Sequence, residues 1–310
     1  MNTKKIIITA LFFLQTSTHC LEWVEWATRA LLIGVPVEAC WQTYSKNSKV
    51  FPISVDDPKL ISHNFVSSDK ASEELNADQN EKNKIIQGMR SAAETSFFIT
   101  QRPIVPVLVA REANGSSGGA TLMKDIKSNK INILTGDVDF FKKYALNPHE
   151  KEATLYHEAG HIVLEHGEKK VAFKQQVNVA SLALGTLLFF IMPQVNQEEY
   201  RKGIARNIQI ALAQYLIQKI VPNYHAKLCE QEADDFALER CENPAALEAE
   251  SNQMRAHYEK EKKSLKLGRF SNSLYNLLYK TISTHPHPLS RAQRFSEAAQ
   301  KLREEQAHKQ

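Results

Sequence analysis

Residues 147–169 read NPHEKEATLYHEAGHIVLEHGEK, a stretch typical of one amphipathic helix. Asn147 suits the N-cap, and Pro148 suits the first helical position. Glu150 and Glu152 follow near the positive end of the helix dipole, where negative charge is stabilising. Apolar residues then recur at helical spacing, at Leu155, Ala159, Ile162 and Val163. The pattern predicts a single helix with one apolar side.

The pentapeptide HEAGH occupies residues 157–161 of this helix. His157 and His161 are one helical turn apart, so both project from the same face. Two neutral imidazoles in this arrangement can bind one Zn²⁺, while Glu158 reaches toward the open position of the metal as a general base. A helix whose histidines are ordinary core or surface residues is the alternative. The helical context favours the metal site.

The composition is that of a globular protein with a sizeable core. Of 310 residues, 43% are hydrophobic and 24% are charged, which suits one large domain or two small ones. The formal net charge is only +4, and aromatic residues are not interleaved with basic clusters, so we expect no nucleic-acid partner. The absence of a CxxC motif argues against a thiolate zinc site.

Residues 1–19 have the anatomy of a signal peptide. Lys4 and Lys5 form a charged start, and IIITALFFL is an apolar core too short to anchor the chain across a bilayer. We therefore expect an exported protein that is periplasmic or peripherally associated with a membrane. Lipid attachment at Cys20 and retention of the hydrophobic N-terminus are the alternatives.

An N-terminal helical and linker region is predicted over residues 20–98. Residues 21–45 carry all three tryptophans and predict an apolar helix that is broken near Gly34 and Pro36. This helix either docks on the main domain or lies on a membrane surface. Apolar spacing predicts a further helix from about Asn80 to Phe97.

Two strands are predicted on either side of a Gly/Ser-rich loop. The strands are IVPVLVA at 104–110 and KINILT at 130–135, and the loop is NGSSGGA at 114–120. A short helical piece at 136–146 then leads toward the HEAGH helix. Such a sheet either offers an edge to which an extended peptide adds as a strand, or simply covers the core.

Two apolar helices are predicted after the HEAGH helix. The first, VNVASLALGTLLFFIM at 177–192, is short for a membrane span and ends before Pro193. The second, over 203–221, is amphipathic. Together they predict a helical hairpin that is buried or interfacial, with entry into a membrane as the alternative.

A catalytic zinc normally takes three protein ligands, and the segment KLCEQEADDFALERC at 227–241 offers the best third one. Its helical spacing puts Glu230 and Asp234 one turn apart on one face. Glu230 can complete the coordination sphere while Asp234 hydrogen-bonds a ligand imidazole. Glu232 and Asp235 are expected to point elsewhere. A solvated acidic face is the alternative, but a metal-binding role is favoured beside HEAGH.

HEAGH followed by EQEAD resembles the HtpX and CAAX-prenyl-protease superfamily of gluzincin metallopeptidases, which includes exported bacterial relatives in envelope quality control. The resemblance implies an α+β, mostly helical fold: a zincin-like domain over 99–310 with a small β-sheet packed on the HExxH helix. It also implies one Zn²⁺ per chain, with Glu158 as the base and Asp234 as the orienting carboxylate. The implied zinc ligands are His157, His161 and Glu230.

The resemblance continues at STHPHPLSRAQR, residues 283–294, which is similar to the family's late THP segment followed by an arginine. In this alignment His285 approaches the active site, and Arg291 pairs either with it or with the acidic helix. His287 is the alternative to His285 because the His-Pro pair is doubled here. The loop at 114–120 departs from the family's usual edge segment, so the substrate edge stays open.

The sequence thus predicts a zinc-dependent endopeptidase of envelope protein quality control. The expected partners are protein or peptide substrates such as misfolded envelope proteins, and a membrane surface contacted through 21–45 or 177–221. The alternative is a periplasmic binding or assembly factor whose zinc site is structural or is capped by His285. A membrane-embedded protease acting on membrane substrates is a third interpretation.

Overall fold

The computed structural model describes residues 18–48, 79–108, 119–123, 131–136, 138–192, 199–264 and 283–309. The signal peptide predicted at 1–19 lies outside the described residues except for its last two positions. Most of the Gly/Ser-rich loop predicted at 114–120 also lies outside them.

Within these residues the chain is mostly helical and contains one small sheet, as the sequence predicts. The helices are α1 (Thr18–Ser48), α2 (Gln79–Thr100), α3 (Val138–Leu146), α4 (Glu152–Val163), α5 (His166–Ile191), α6 (Tyr200–Arg240), α7 (Pro244–Ser264) and α8 (Pro288–Lys309). The strands are β1 (Ile104–Leu108), β2 (Gly119–Met123) and β3 (Ile131–Gly136).

The chain divides into two compact units. The described residues of Met1–Lys49 and Lys170–His225 form the first, which we call the helical unit. Those of Val50–Lys169 and Ala226–Gln310 form the second, which we call the sheet unit. The boundary expected between residues 98 and 99 stays a prediction.

The sheet unit contains a three-stranded sheet of order β1-β3-β2. β1 runs parallel to the central strand β3, and β2 runs antiparallel to it, with Gly119 opposite Thr135. The strands predicted at 104–110 and 130–135 are confirmed, whereas β2 begins inside the segment predicted as a loop. β1 contacts α2, and β2 contacts α4. β2 is therefore the edge strand beside the helix that carries HEAGH.

Helix α4 lies between two apolar clusters of the sheet unit. One cluster joins Leu155 to α2, β3 and α3, through Ile85, Met89, Ala92, Leu134, Phe140, Phe141 and Tyr144. The other joins Ala153 to α6, α7 and α8, through Ala237, Cys241, Ala246, Leu247, Met254, Ala292, Phe295 and Ala299. Residues two apart on a helix point in nearly opposite directions, so the two clusters together set the rotation of α4.

Asn243 ties the start of α7 to the start of α4. Its Oδ1 accepts hydrogen bonds from the backbone N–H groups of Ala245 and Ala246, at 3.1 and 3.3 Å, as an N-cap residue does. Its Nδ2 donates a hydrogen bond of 3.0 Å to Oε2 of Glu152. This asparagine therefore links the beginnings of two helices of the sheet unit.

The stretch 147–169 is not the single helix that the sequence predicts. Pro148–Lys151 is a 3₁₀ turn, Asn147 makes no side-chain cap, and a new helix begins at His166. The interruption includes Glu165, whose φ of 57° lies in the left-handed region. A left-handed residue ends an α-helix, and apolar periodicity gives no sign of it.

Two predicted helix boundaries are also wrong. α1 runs through Gly34 and Pro36, and α6 runs through Pro222 as one helix of 41 residues. The helices predicted separately at 203–221 and 227–241 are therefore a single element. Proline costs a helix interior about 3 kcal/mol, which tertiary contacts can outweigh.

In the helical unit a close contact between two helices lies one turn before Pro36. The ring nitrogen of Pro36 has no hydrogen to donate to the carbonyl of Leu32, one turn earlier. That carbonyl lies against Gly185 on α5, where an added Cβ atom would come within 1.8 Å of its oxygen. Only glycine fits there, and α1 and α5 therefore approach closely.

Among the described helices, none combines the length and the apolar character that crossing a bilayer requires. Among the described side chains, Cys40, Cys229 and Cys241 form no disulfide bond.

Candidate metal centre

Helices α4 and α6 bring three metal-binding side chains to one point of the sheet unit. Nε2 of His157 lies 3.5 Å from Oε2 of Glu230, and Nε2 of His161 lies 3.4 Å from Oε1 of the same carboxylate. One ligand atom from each residue lies within 4.8 Å of the others. Two segments some 70 residues apart in the chain thus present two nitrogens and a carboxylate to a shared position.

The two helices approach closely because the residues between the ligands are small. A Cβ atom added to Gly160 would lie 3.2 Å from Cα of Ala233 and 3.2 Å from Cβ of Phe236. Gly160 precedes His161 in HEAGH, and Ala233 belongs to EQEAD. Small residues at these two positions let the backbones come near enough for the ligands to meet.

The arrangement fits a divalent metal ion. Zn²⁺ binds imidazole nitrogen and carboxylate oxygen at about 2.0–2.2 Å, so two ligand atoms of a tetrahedral site are about 3.3–3.6 Å apart. The separations of 3.5 and 3.4 Å between the imidazole nitrogens and Glu230 match this edge. Two imidazoles and one carboxylate are also a donor set of catalytic zinc sites, which leaves one position open.

The electrostatics of the centre favour a positive charge. Burial alone would lower the pKa of His157, but the carboxylates of Asp234 and Glu230 raise it to about 10. Burial alone would raise the pKa of Glu230, but its contacts with His157 and His161 hold it well below its usual range. A pocket that stabilises an imidazolium in this way also stabilises a bound cation. With a metal ion bound, both ligand imidazoles would be neutral, because binding requires their deprotonated nitrogens.

Asp234 is completely buried and connects a ligand histidine to an arginine. Its Oδ1 lies 2.9 Å from Nδ1 of His157 and accepts a 2.6 Å hydrogen bond from Arg291, which donates a second of 2.7 Å to Oδ2. Burial would raise the pKa of Asp234, but His157 and Arg291 together lower it. The carboxylate therefore stays ionised and directs the opposite nitrogen of His157 toward the centre.

The two late histidines lie in different surroundings. Nε2 of His285 is 3.5 Å from Oε2 of Glu230, and its Nδ1 is 3.1 Å from the hydroxyl of Thr284. The ring of His287 instead lies against Tyr258, with centroids 5.3 Å apart. His285 is thus the histidine of this pair that lies at the ligand cluster.

Glu158 is 8% exposed and follows His157 directly on α4. Its negative charge is one of those that raise the pKa of His157. Burial beside the cluster is the setting expected of a general base that acts at the open position.

One part of the centre has no counterpart in the sequence-based expectations. Nδ1 of His161 lies 2.8 Å from Nδ1 of His166, and Nε2 of His166 lies 2.9 Å from Oε2 of Glu232. Glu232, which is expected to point away from the site, is thus connected to it through the imidazole of His166. The spacing of His161 and His166 gives no signal for this contact, because five residues on one helix correspond to a rotation of about 140° from the first side chain.

Comparison with known protein families shows the family to which the chain belongs. The profile of peptidase family M48 matches residues 121–299, which is more than half of the chain and includes every residue of the centre from His157 to Arg291. The chain belongs to peptidase family M48. M48 membership implies metallopeptidase activity and confirms the resemblance to the HtpX and CAAX-prenyl proteases. Searches of curated proteins and of solved structures give no significant match.

The buried pair of Arg291 and Asp234 yields a stability prediction for this M48 chain. Arg291→Met should lower the free energy of unfolding by about 3–5 kcal/mol, because it leaves a buried carboxylate without its guanidinium partner. Urea denaturation of the metal-free chain measures the change.

Arg294→Met is the matched control, since Arg294 pairs with the partly exposed Asp235 between the same two helices. We expect it to change the free energy of unfolding by no more than about 1 kcal/mol. Equal losses in the two variants would contradict a special role for the Arg291 pair.

Proposed function

We propose that this chain is a zinc-dependent endopeptidase whose sheet unit has zincin-like packing. The observation that carries the proposal is the convergence of His157, His161 and Glu230 on one point, with the buried Glu158 beside them. Zinc is favoured over magnesium or calcium because two of the three donors are imidazoles. One ion per chain is expected, since the described residues hold a single cluster of this kind.

The chain's own residues divide the catalytic work. When bound, the ion would activate a water molecule and polarise the scissile carbonyl. Glu158 takes a proton from water and later returns it to the leaving amine. Asp234 keeps His157 in the tautomer whose Nε2 faces the ion. His285 can donate a hydrogen bond to the negative charge that develops on the substrate oxygen.

An extended peptide is the substrate form that the sheet favours. β2 is an edge strand that contacts α4, whereas the opposite edge strand, β1, contacts α2. A peptide that pairs with β2 gains main-chain hydrogen bonds independent of its side chains and passes alongside HEAGH. Recognition of this kind requires an unfolded segment, which suits misfolded envelope proteins as substrates. The signal-peptide anatomy of residues 1–19 supports an exported, periplasmic location.

A membrane surface is the second partner that we propose, and the helical unit provides the support. Its interior holds many polar side chains: Glu25, Thr28, Arg29, Asn178, Ser181, Asn207, Gln214 and Gln218 are all buried. Large apolar side chains on the same helices are exposed: Trp23, Trp41, Val179, Leu187, Phe190, Ile191, Leu212, Leu216 and Ile217. Exposed apolar groups around an interior that contains polar groups are typical of helices in contact with lipid.

Several buried polar side chains of the helical unit form hydrogen bonds within the unit. Nε of Arg29 donates a 2.8 Å hydrogen bond to the carbonyl of Phe189, near the C-terminus of α5, where a positive charge is favourable. Nδ2 of Asn207 donates to Glu25 at 3.4 Å, and Nε2 of Gln214 donates to the carbonyl of Ser181 at 3.2 Å. These bonds allow apolar residues of all three helices to face a lipid surface through the segments 21–45 and 177–221.

A second candidate function is a periplasmic binding or assembly factor with a capped zinc site. The observation in its favour is the 3.5 Å distance between Nε2 of His285 and Glu230, which equals the distance between His157 and Glu230. As a fourth ligand at that distance, the imidazole of His285 can occupy the position that water needs. The role of His285 therefore distinguishes the two candidate functions.

Glu158→Gln should lower kcat for cleavage of an unfolded protein substrate by at least about 100-fold, because glutamine cannot accept the proton of water. Zinc content, measured by mass spectrometry of the purified chain, should stay at one ion. Glu150→Gln is the control, as Glu150 is exposed on the 3₁₀ turn that precedes α4. Normal turnover by Glu158→Gln would exclude this residue as the base.

His285→Ala should lower kcat by at least about tenfold with zinc retained, because a donor to the transition-state oxygen is lost. His287→Ala should leave kcat unchanged, since its ring lies against Tyr258. A sharp rise in proteolysis in His285→Ala would instead favour the capped site of the second candidate.

Membrane contact can be tested with the full chain and vesicles of phosphatidylglycerol and phosphatidylcholine. Replacing Trp23 and Phe190 by Ser should weaken co-sedimentation by at least about tenfold, because each exposed aromatic ring loses its burial in the lipid interface. Replacing Phe98 and Leu146 of the sheet unit, which are similarly exposed, should have no effect. Equal binding by both double variants would overturn a specific lipid-contacting surface on the helical unit.

A further inference from the structure

A chain of two imidazoles and a carboxylate extends outward from the metal centre. Nε2 of His161 faces Glu230 at 3.4 Å, and its Nδ1 lies 2.8 Å from Nδ1 of His166. On its far side, Nε2 of His166 lies 2.9 Å from Oε2 of Glu232. His166 is only 1% exposed, so both of its ring nitrogens meet protein groups within a desolvated space.

The contact between the two imidazoles depends on the break between α4 and α5. If residues 161–166 continued one helix, the side chains of His161 and His166 would point about 140° apart. The left-handed backbone at Glu165, with φ of 57°, turns the chain so that His166 faces back toward His161. Left-handed backbone is disfavoured for a residue with a side chain, and such strain is kept where neighbouring contacts determine the conformation.

The tautomers of both imidazoles follow from a single requirement. If Nε2 of His161 is a metal ligand, that nitrogen carries no proton, and the proton of the neutral ring is on Nδ1. Nδ1 of His161 then donates to Nδ1 of His166, which must accept. The proton of His166 is therefore on Nε2 and is donated to the carboxylate of Glu232. Each N–H group in this series of hydrogen bonds has an acceptor, and each donates in the direction of Glu232.

We propose that His166 and Glu232 are positioning residues that hold the metal ligand His161 in the tautomer and orientation in which its Nε2 faces the ion. This inference rests on the proposed zinc site and assigns a role to two further residues. His157 is positioned directly by Asp234, which lies 2.9 Å from its Nδ1. His161 is positioned by a carboxylate as well, but through an intervening imidazole. Partners of this kind fix ring orientation and raise ligand basicity, and their loss costs about 10–100-fold in metal affinity.

The experiment measures zinc dissociation constants of the full chain by competition with a chromophoric chelator. His166→Phe keeps the ring volume and removes the acceptor, so its dissociation constant should rise about 10–100-fold. His166→Asn places an amide oxygen near the former Nδ1 and should recover part of the lost affinity.

Glu232→Ala should weaken binding more than Glu232→Gln, which can still accept the proton of His166. Asp235→Asn is the matched control on the same helix and should bind zinc as tightly as the parent chain.

Two further measurements separate positioning from a general loss of structure. The thermal midpoint of the metal-free Glu232 variants should match that of Asp235→Asn, because Glu232 is exposed apart from its contact with His166. Nitrogen-15 spectra of the zinc-loaded chain should show the proton of His166 on Nε2. Unchanged zinc affinity in both His166→Phe and Glu232→Ala, or a His166 proton on Nδ1, would overturn the proposal. A parent chain without measurable zinc affinity would overturn the proposed function itself, and the positioning role with it.

Discussion

The close approach of α4 and α6 is the constraint on which the centre depends. At Gly160 a single added carbon would lie 3.2 Å from the backbone of Ala233, so the two helices are nearer than a larger residue at position 160 would readily allow. Glu230 can then meet both histidines at 3.4–3.5 Å, near the edge length of a tetrahedral zinc site. A wider helix separation would leave two imidazoles and a carboxylate that cannot share an ion. Apolar clusters through Leu155 and Ala153 maintain this approach from opposite sides of α4.

Around this contact the buried charges are arranged in series. In one series, Arg291 neutralises Asp234, and Asp234 lies beside His157. In the other, Glu232 contacts His166, which in turn contacts His161. Each ligand imidazole thus has a carboxylate behind it, and both rings are oriented before any metal binds. Pre-oriented ligands lose little conformational freedom on coordination, which is why second partners contribute to metal affinity. The same charges favour a cation over an empty, solvated pocket.

Features that depend on local geometry agree between sequence and structure. The shared face of His157 and His161 and the strands at 104–108 and 131–135 each involve residues near one another in the chain. The errors concern positions where distant contacts outweigh local preference. α1 continues through Pro36, one turn after Leu32 packs against Gly185 of α5, and the helix after HEAGH breaks at Glu165 without a glycine or proline to signal it.

The sequence by itself determined the peptidase family and the chemical types of the ligands. It also determined which residues share a face of each helix, because residues four apart on an α-helix lie on the same side. Only the tertiary structure decided which distant groups meet. It set the choice of Asp234 as the partner of Arg291, the position of His285 rather than His287 at Glu230, and the contact of Glu232 with His166. The reason is physical: distances along a helix follow from backbone hydrogen bonds, whereas distances between helices follow from how closely their side chains pack.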